Sequence, residues 1–146
     1  MHPNADVPAF QLSLDERRSF KEHLELDGKF SAARTRRSDS RQRQYRTQPE
    51  RIDGEHPSGA YDWAVEFDSK VKQAVEAHDA NALAAPQKWG EALLATAHPS
   101  VEHYLPLLYC MGRTDERDAV SYPYEGFEFG SISMRMILFG DAKAAE

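Results

Sequence analysis

Two histidines and a carboxylate lie close together near the C-terminal end of this sequence. They are His98, Glu102 and His103, in the run His-Pro-Ser-Val-Glu-His-Tyr-Leu-Pro-Leu-Leu at positions 98–108. Imidazole nitrogens and carboxylate oxygens are ligands that zinc and ferrous iron accept in proteins. The residue types therefore make this run a candidate metal-binding segment.

The same run has the pattern of an apolar helix. Ser100 is a favourable N-cap, and the apolar residues after it recur at helical spacing, so the sequence predicts a helix from Ser100 to Met111. His103 is then expected in the first turn, where its ring can face a cleft. Glu102, its neighbour, is expected to cap the helix or orient other groups, because adjacent helical side chains point in different directions. Pro106 is expected to kink the helix.

The other histidines and large side chains have simpler interpretations. His98 precedes a proline, which favours an extended backbone, and ligation by it is the less favoured alternative. His23 is expected on the surface of a helix or lining a cleft. Solvation is expected for His2, His56 and His78, and packing for Trp63, Trp89, Met134 and Met136, with Trp89 lining a cleft as an alternative.

The run at 98–108 closely resembles the C-terminal signature of the class III extradiol ring-cleavage dioxygenases, in the 4,5-DOPA dioxygenase-like branch. In that signature, Pro-x-x-Glu-His-Tyr/Phe-Leu-Pro-Leu supplies a metal-binding histidine, which falls on His103. Three further blocks, at 6–15, 61–68 and 125–134, resemble the family in the same order. The resemblance therefore extends over most of the chain.

The resemblance implies an α/β fold, the C-terminal half of the dioxygenase fold, with an incomplete central sheet flanked by helices. Residues 1–146 then form a single partial catalytic domain. The implied activity is oxidative cleavage of a catechol by O2 at an Fe(II) or Zn(II) ion. The family's His-Gly-Ser-Pro-like and Ser-Ala-His-Trp-like segments have no equivalent here. His103 is thus the one metal ligand retained, and we expect the chain to be inactive alone.

A further family segment, Gly-Ser-Gly-Asn-x-Val-His-Asn, corresponds to Arg-Gln-Arg-Gln-Tyr-Arg-Thr-Gln at 41–48. Thr47 stands where the family has a site histidine, so no catalytic residue is retained. Codons for the family segment, when they are read one nucleotide earlier, can translate to the sequence found here. Our hypothesis is that residues 35–50 are a frame-shifted segment, and we expect an irregular loop over 35–58.

Charge is distributed unevenly along the chain and raises two alternatives. The net charge is −6, yet residues 34–51 carry seven arginines against two carboxylates. An Arg-rich RNA-binding segment, with Tyr45 stacking on a base, is the first alternative. Since the acidic remainder repels phosphates, we expect no nucleic-acid partner. The second alternative is a non-catalytic partner subunit or pseudoenzyme, with self-association through an uncovered core.

Several other features concern location and organisation. A single cysteine, Cys110, excludes an internal disulfide and suits a reducing cytoplasm. We find no signal peptide or membrane-spanning run, so no membrane partner is expected. The sequence predicts strands at 7–14, 119–122 and 126–139, helices at 19–34 and 61–77, and a helical segment at 81–97 broken by Pro86.

Overall fold

Helices precede strands in the described part of the chain. The computed structural model describes residues 15, 17–30 and 59–141, so the strand expected at 7–14, Thr47 and the loop expected at 35–58 lie outside it. The helices are α1 (Phe20–Phe30), α2 (Asp62–Glu76), α3 (Ala80–Leu83), a 3-10 helix (Pro86–Trp89), α4 (Glu91–Ala97) and α5 (Leu105–Met111). The strands are β1 (Asp118–Tyr124), β2 (Phe127–Glu128), β3 (Ile132–Ser133) and β4 (Met136–Asp141).

Helix α2 lies against the hydrophobic core and confirms the helix predicted at 61–77. Its apolar residues recur at three- and four-residue spacing, which places them on one face. Asp62 lies in the first turn, where a carboxylate interacts favourably with the helix dipole. The face buried in the core consists of Ala64, Phe67, Asp68, Val71, Ala74 and Val75.

Local capping explains why the helical segment after α2 is divided. His78 adopts a left-handed backbone conformation, with φ of 50°, and is half-buried rather than solvated. The Asp79 carboxylate then accepts a hydrogen bond of 2.9 Å from the Ala82 amide and caps α3. Pro86 opens the 3-10 helix, so the predicted break at this proline is confirmed.

Helix α5 is shorter than the sequence predicted. It begins at Leu105 rather than at Ser100, because residues 101–104 form a turn in which the Tyr104 amide donates to the Val101 carbonyl at 2.9 Å. The expected kink at Pro106 is also wrong. This proline lies in the first turn of the helix, where its missing N–H has no intrahelical partner to lose.

The single strand expected at 126–139 is wrong, since this segment contributes to two separate antiparallel ribbons. Strand β1 pairs with β4, and β2 pairs with β3. A tight turn at Phe129 and Gly130, whose φ angles are 52° and 68°, reverses the chain between β2 and β3. Two successive left-handed residues are characteristic of a type I′ hairpin turn. The described residues are thus a mixed α/β arrangement with two small antiparallel sheets.

A buried ion pair attaches the end of the β2–β3 hairpin to α2. The Arg135 guanidinium donates to both carboxylate oxygens of Asp68, and the Ser133 hydroxyl donates to Asp68 Oδ1 at 2.7 Å. Arg135 also donates to Glu125 at 2.6 Å. The side chains of Arg135 and Asp68 are only 11% and 4% exposed. Loss of either charge therefore leaves the other buried without its main partner.

We predict that Asp68→Asn lowers the free energy of unfolding by about 3 kcal/mol, the usual cost of leaving one member of a buried ion pair uncompensated. Urea denaturation followed by circular dichroism measures this change. The matched control is Glu66→Gln on the same helix, where the ion pair with Lys70 is largely exposed. We expect the control to change stability by about 0.5 kcal/mol or less. Equal effects of the two substitutions would contradict the role assigned to Asp68.

Candidate metal-binding turn

The segment from His98 to Tyr104 places its two histidines in different environments. Helix α4 ends at Ala97, and the His98 amide donates to the Leu94 carbonyl at 2.7 Å. The side chain of His98 then enters the core, where the residue is 5% exposed. The side chain of His103, in the turn before α5, is 40% exposed. His103 is the more accessible imidazole of the two.

His98 is surrounded by aromatic rings. The centroids of Phe67 and Tyr104 each lie 5.1 Å from that of the His98 ring. Burial lowers the pKa of His98 to about 3, with a smaller contribution from His103, while Glu102 opposes the shift. The ring is therefore neutral at neutral pH. Its surroundings are those of a packed core histidine, which favours the structural interpretation of His98 over metal ligation.

Tyr104 anchors the turn in the core. It is fully buried, and its hydroxyl donates a 2.7 Å hydrogen bond to the carbonyl of Leu83 at the end of α3. Its ring also meets that of Phe20 edge to face at 5.5 Å. Burial raises the pKa of the Tyr104 phenol, so this hydroxyl remains a hydrogen-bond donor.

Glu102 contacts His103 rather than capping a helix. Glu102 Oε1 lies 3.7 Å from His103 Nε2 and accepts a 2.8 Å hydrogen bond from the Ser100 hydroxyl. The backbone amide of Glu102 and the Ser100 hydroxyl hold the pKa of the carboxyl below its usual range. The expected capping role is wrong for α5, whose N-cap, Tyr104, makes no side-chain capping bond. Ser100, expected to cap the helix, instead positions the carboxylate.

The chemistry of these two donors suits the divalent metal that the family resemblance implies. An imidazole nitrogen and an ionised carboxylate oxygen, adjacent and half-exposed, fit iron or zinc as part of a ligand set. Within residues 15, 17–30 and 59–141, however, no group of three or more histidine, cysteine, aspartate or glutamate side chains is placed to hold a metal. A full ligand set therefore requires donors besides this pair.

His23 is buried and hydrogen-bonded, so its expected position on a helix surface or cleft is wrong. It is fully buried; its Nε2 lies 3.0 Å from the Asp15 carbonyl and its Nδ1 lies 2.7 Å from the Tyr109 hydroxyl. A carbonyl only accepts, so Nε2 carries the proton and, in the neutral ring, Nδ1 accepts from Tyr109. The sequence signal for this burial was the position of His23 between Phe20 and Leu24, which pack against the core.

The predicted packing of both tryptophans agrees with their positions, because Trp63 and Trp89 are partly buried against the hydrophobic core. The Trp89 ring meets that of Phe67 edge to face at 5.6 Å. A small pocket separate from His103 lies between α2 and the β2–β3 hairpin. Its lining consists of Trp63, Ala64, Phe67, Asp68, Ala97, Phe127, Ser131 and Ser133.

Comparison with known proteins agrees with the resemblance seen in the sequence. No protein-family model matches the chain. The chain is 34% identical, over 152 aligned residues and 96% of its length, to the 4,5-DOPA dioxygenase extradiol of Escherichia coli (strain K12). The chain is related to the extradiol dioxygenases. A crystal structure of the uncharacterized protein JW3007 from Escherichia coli K12 superposes with a TM-score of 0.72 and 28% identity, over 96% of this chain.

Both of these relatives are longer than the chain itself. It spans 52% of the curated relative and 58% of the chain in the crystal structure. The expectation that the matching part is the C-terminal half stays a prediction, as does a single partial domain over 1–146. Among the residues that the structure describes, no helix is long and apolar enough to cross a membrane.

We predict that His98 makes the folded state less stable in mild acid. Because folding lowers the pKa of His98 from 6.5 to about 3, the folded state binds fewer protons than the unfolded state below pH 6.5. Stability is then lost as the pH falls from 6.5 towards 3. Between pH 7 and pH 5 the loss is about 2 kcal/mol.

The comparison protein for this prediction is His98→Phe, which keeps an aromatic ring and has no titrating group. Urea denaturation at both pH values measures the pH-dependent part of stability in each protein. We expect the wild-type chain to lose about 2 kcal/mol more than the variant. An identical pH dependence in the two proteins would mean that His98 is protonated in the folded state about as readily as in the unfolded one.

Proposed function

We propose that this chain takes part in the metal-dependent cleavage of catechol rings by O2, and that His103 is its principal metal ligand. The observation that carries the proposal is the 34% identity to a 4,5-DOPA dioxygenase over 96% of the chain. The accessible His103, held in a turn by the buried Tyr104, supports it. The substrates are then a catechol and O2, and the proposed location is the cytoplasm.

The residues of the turn have distinct roles in this proposal. A ferrous ion, or zinc in its place, would be held in part by His103; ferrous iron supplies the site at which a catechol and O2 meet. Ser100 holds the carboxylate of Glu102 beside the His103 ring through the 2.8 Å hydrogen bond. The neutral His98, packed between Phe67 and Tyr104, supports the turn from the core side.

We further propose that the chain alone does not turn over catechols. Two observations support this part of the proposal. The described residues bring together two metal donors, Glu102 and His103, but no group of three or more. In addition, Thr47 stands at the position of the family's site histidine. Tight retention of iron against water requires several protein ligands. Activity then requires metal ligands in addition to the two donors of this turn.

A non-catalytic partner subunit is the second candidate. The observation that favours it is that the described residues bring together two metal donors, His103 and Glu102, and no group of three or more. In this case the chain binds another protein and needs no complete ligand set. Co-purification of the tagged chain with a full-length dioxygenase from the same cells, undiminished by His103→Ala, would favour this candidate.

We expect the chain, loaded anaerobically with ferrous iron and then exposed to air with DOPA or protocatechuate, to form no yellow ring-fission product. A second protein restores the missing family segments, including Gly-Ser-Gly-Asn-x-Val-His-Asn at 41–48. We expect this restored protein to form the product and to retain iron. The measurements are visible absorbance with time and iron content after desalting.

The assignment of His103 is tested in the restored protein. We expect His103→Ala to abolish both iron retention and product formation, whereas His78→Asn, which replaces a histidine outside the turn with a residue that tolerates a left-handed backbone, leaves both unchanged. Retention of metal and activity without His103 would overturn its assignment as a ligand. Product formation by the unrestored chain at enzyme-like rates would overturn the proposed inactivity.

A further inference from the structure

Strand β4 has one edge that no strand among the described residues pairs with. On its other side it pairs with β1, and the sheet that the two form has two strands. An unpaired edge presents backbone N–H and C=O groups to any strand that approaches it, and proteins usually protect such an edge with charged residues or proline. The β4 sequence at 136–140, Met-Ile-Leu-Phe-Gly, contains neither a charge nor a proline. This edge is therefore suited to pairing.

The opposite edge of the sheet, which belongs to β1, carries the usual protection. Pro123 has no N–H to donate, and Asp118 is charged. The register with β4 also shifts between Ser121 and Tyr124, and such an irregularity bends the strand. Only the β4 edge is then open to a second strand, and pairing through a single edge joins two chains and stops there.

The outer face of the sheet is uncharged beside the β4 edge. Ile137 and Phe139 point into the core and are 5% and 6% exposed, so the residues that alternate with them lie on the outer face. Leu138 is 38% exposed there, and a Cβ on Gly140 would meet open space. The outer face consists of Ala119, Ser121, Tyr124, Met136, Leu138 and Gly140. A second copy of this chain, whose net charge is −6, can approach here without bringing carboxylates together.

Two copies of β4 match each other in an antiparallel register centred on Leu138. In such a pair, positions equally far before and after the centre lie opposite each other. The two Leu138 side chains are then neighbours on the outer face, and Ile137 lies opposite Phe139 of the second copy. At each end Arg135 lies opposite Asp141, so residues of opposite rather than like charge face each other across the pair.

We propose that two copies of the chain associate through β4, antiparallel about Leu138, into one continuous sheet with the strand order β1–β4–β4–β1. The inference goes beyond the proposed function, because it concerns assembly and involves neither the turn that carries His103 nor a metal. Each copy contributes the same strand, as a closed two-fold dimer requires. The longer sheet is also more stable than a ribbon of two strands.

The experiment is sedimentation velocity of the full chain at concentrations up to about 0.1 mM. We expect a dimer that dissociates on dilution. Leu138→Lys places two like charges side by side at the centre of the pair, and we expect it to raise the dissociation constant by about tenfold or more. Val65→Lys is the matched control, since it adds the same charge at an apolar residue of α2 that is 43% exposed, and we expect it to leave the dimer unchanged.

A mixture of two variants tests the register and separates it from a general loss of folding. We expect Leu138→Glu alone to dissociate as Leu138→Lys does. An equimolar mixture of the two is expected to dimerise, because lysine and glutamate then meet at the centre of the pair. Failure of the mixture to dimerise would overturn the proposal.

Three results with the other proteins would also contradict it. A wild-type chain that stays monomeric at the highest concentration would show that the β4 edge does not pair with a second copy. Growth beyond the dimer would show that association is not closed at β4. Dissociation of Val65→Lys to the same extent as Leu138→Lys would show that added charge, rather than its position on β4, separates the copies.

Discussion

The hydrogen bond from the Tyr104 hydroxyl to the Leu83 carbonyl, 2.7 Å long and buried, fixes the geometry on which the candidate site depends. It joins the turn before α5 to the end of α3, and the Tyr104 ring occupies the space between Phe67 and Phe20. With the Tyr104 side chain buried on the core side of the turn, the side chain of His103 lies half-exposed at the surface. The core therefore determines the direction of a surface imidazole.

The same segment shows how burial assigns different chemistry to two identical side chains. His98 is enclosed by aromatic rings and its lowered pKa keeps it neutral, so it contributes packing and polarity within the core. His103 lies beside an ionised carboxylate and is open to solvent. Sequence spacing alone placed both in one candidate cluster. The four residues between them carry the chain from the interior to the surface.

The sequence predicted the secondary structure correctly where the apolar spacing was regular. It failed where a single residue determined the start of a helix or the position of a turn. The regular apolar spacing of α2 predicted its position and its buried face. The start of α5 was missed because Ser100 was favoured as a cap, although Pro106 is typical of a first turn and indicated a later start. Gly130 similarly marked a hairpin turn inside the segment expected to be one strand.

The candidate site was predicted only in part, because its side-chain contacts depend on the local backbone conformation. His103 was singled out by the family resemblance, and the structure places its side chain, 40% exposed, at the surface. The contact with Glu102 was missed because helical geometry was assumed, and within a helix adjacent side chains diverge by about 100°. In the turn that forms instead, the two side chains meet. The burial of His23 depends on Tyr109 and Asp15, whose proximity no local pattern indicates.

The buried ion pair of Asp68 and Arg135 also has a consequence for the order in which the chain folds. The two residues are 67 positions apart, and closing a loop of that length in an unstructured chain costs about 4 kcal/mol of conformational entropy. Helices α3 and α4 pack onto α2, and this packing would shorten the effective loop if it came first, which favours formation of the helical core before the ion pair. The β2–β3 hairpin is therefore expected to dock late in folding and to detach early in unfolding, as a unit that opens while the helical core persists.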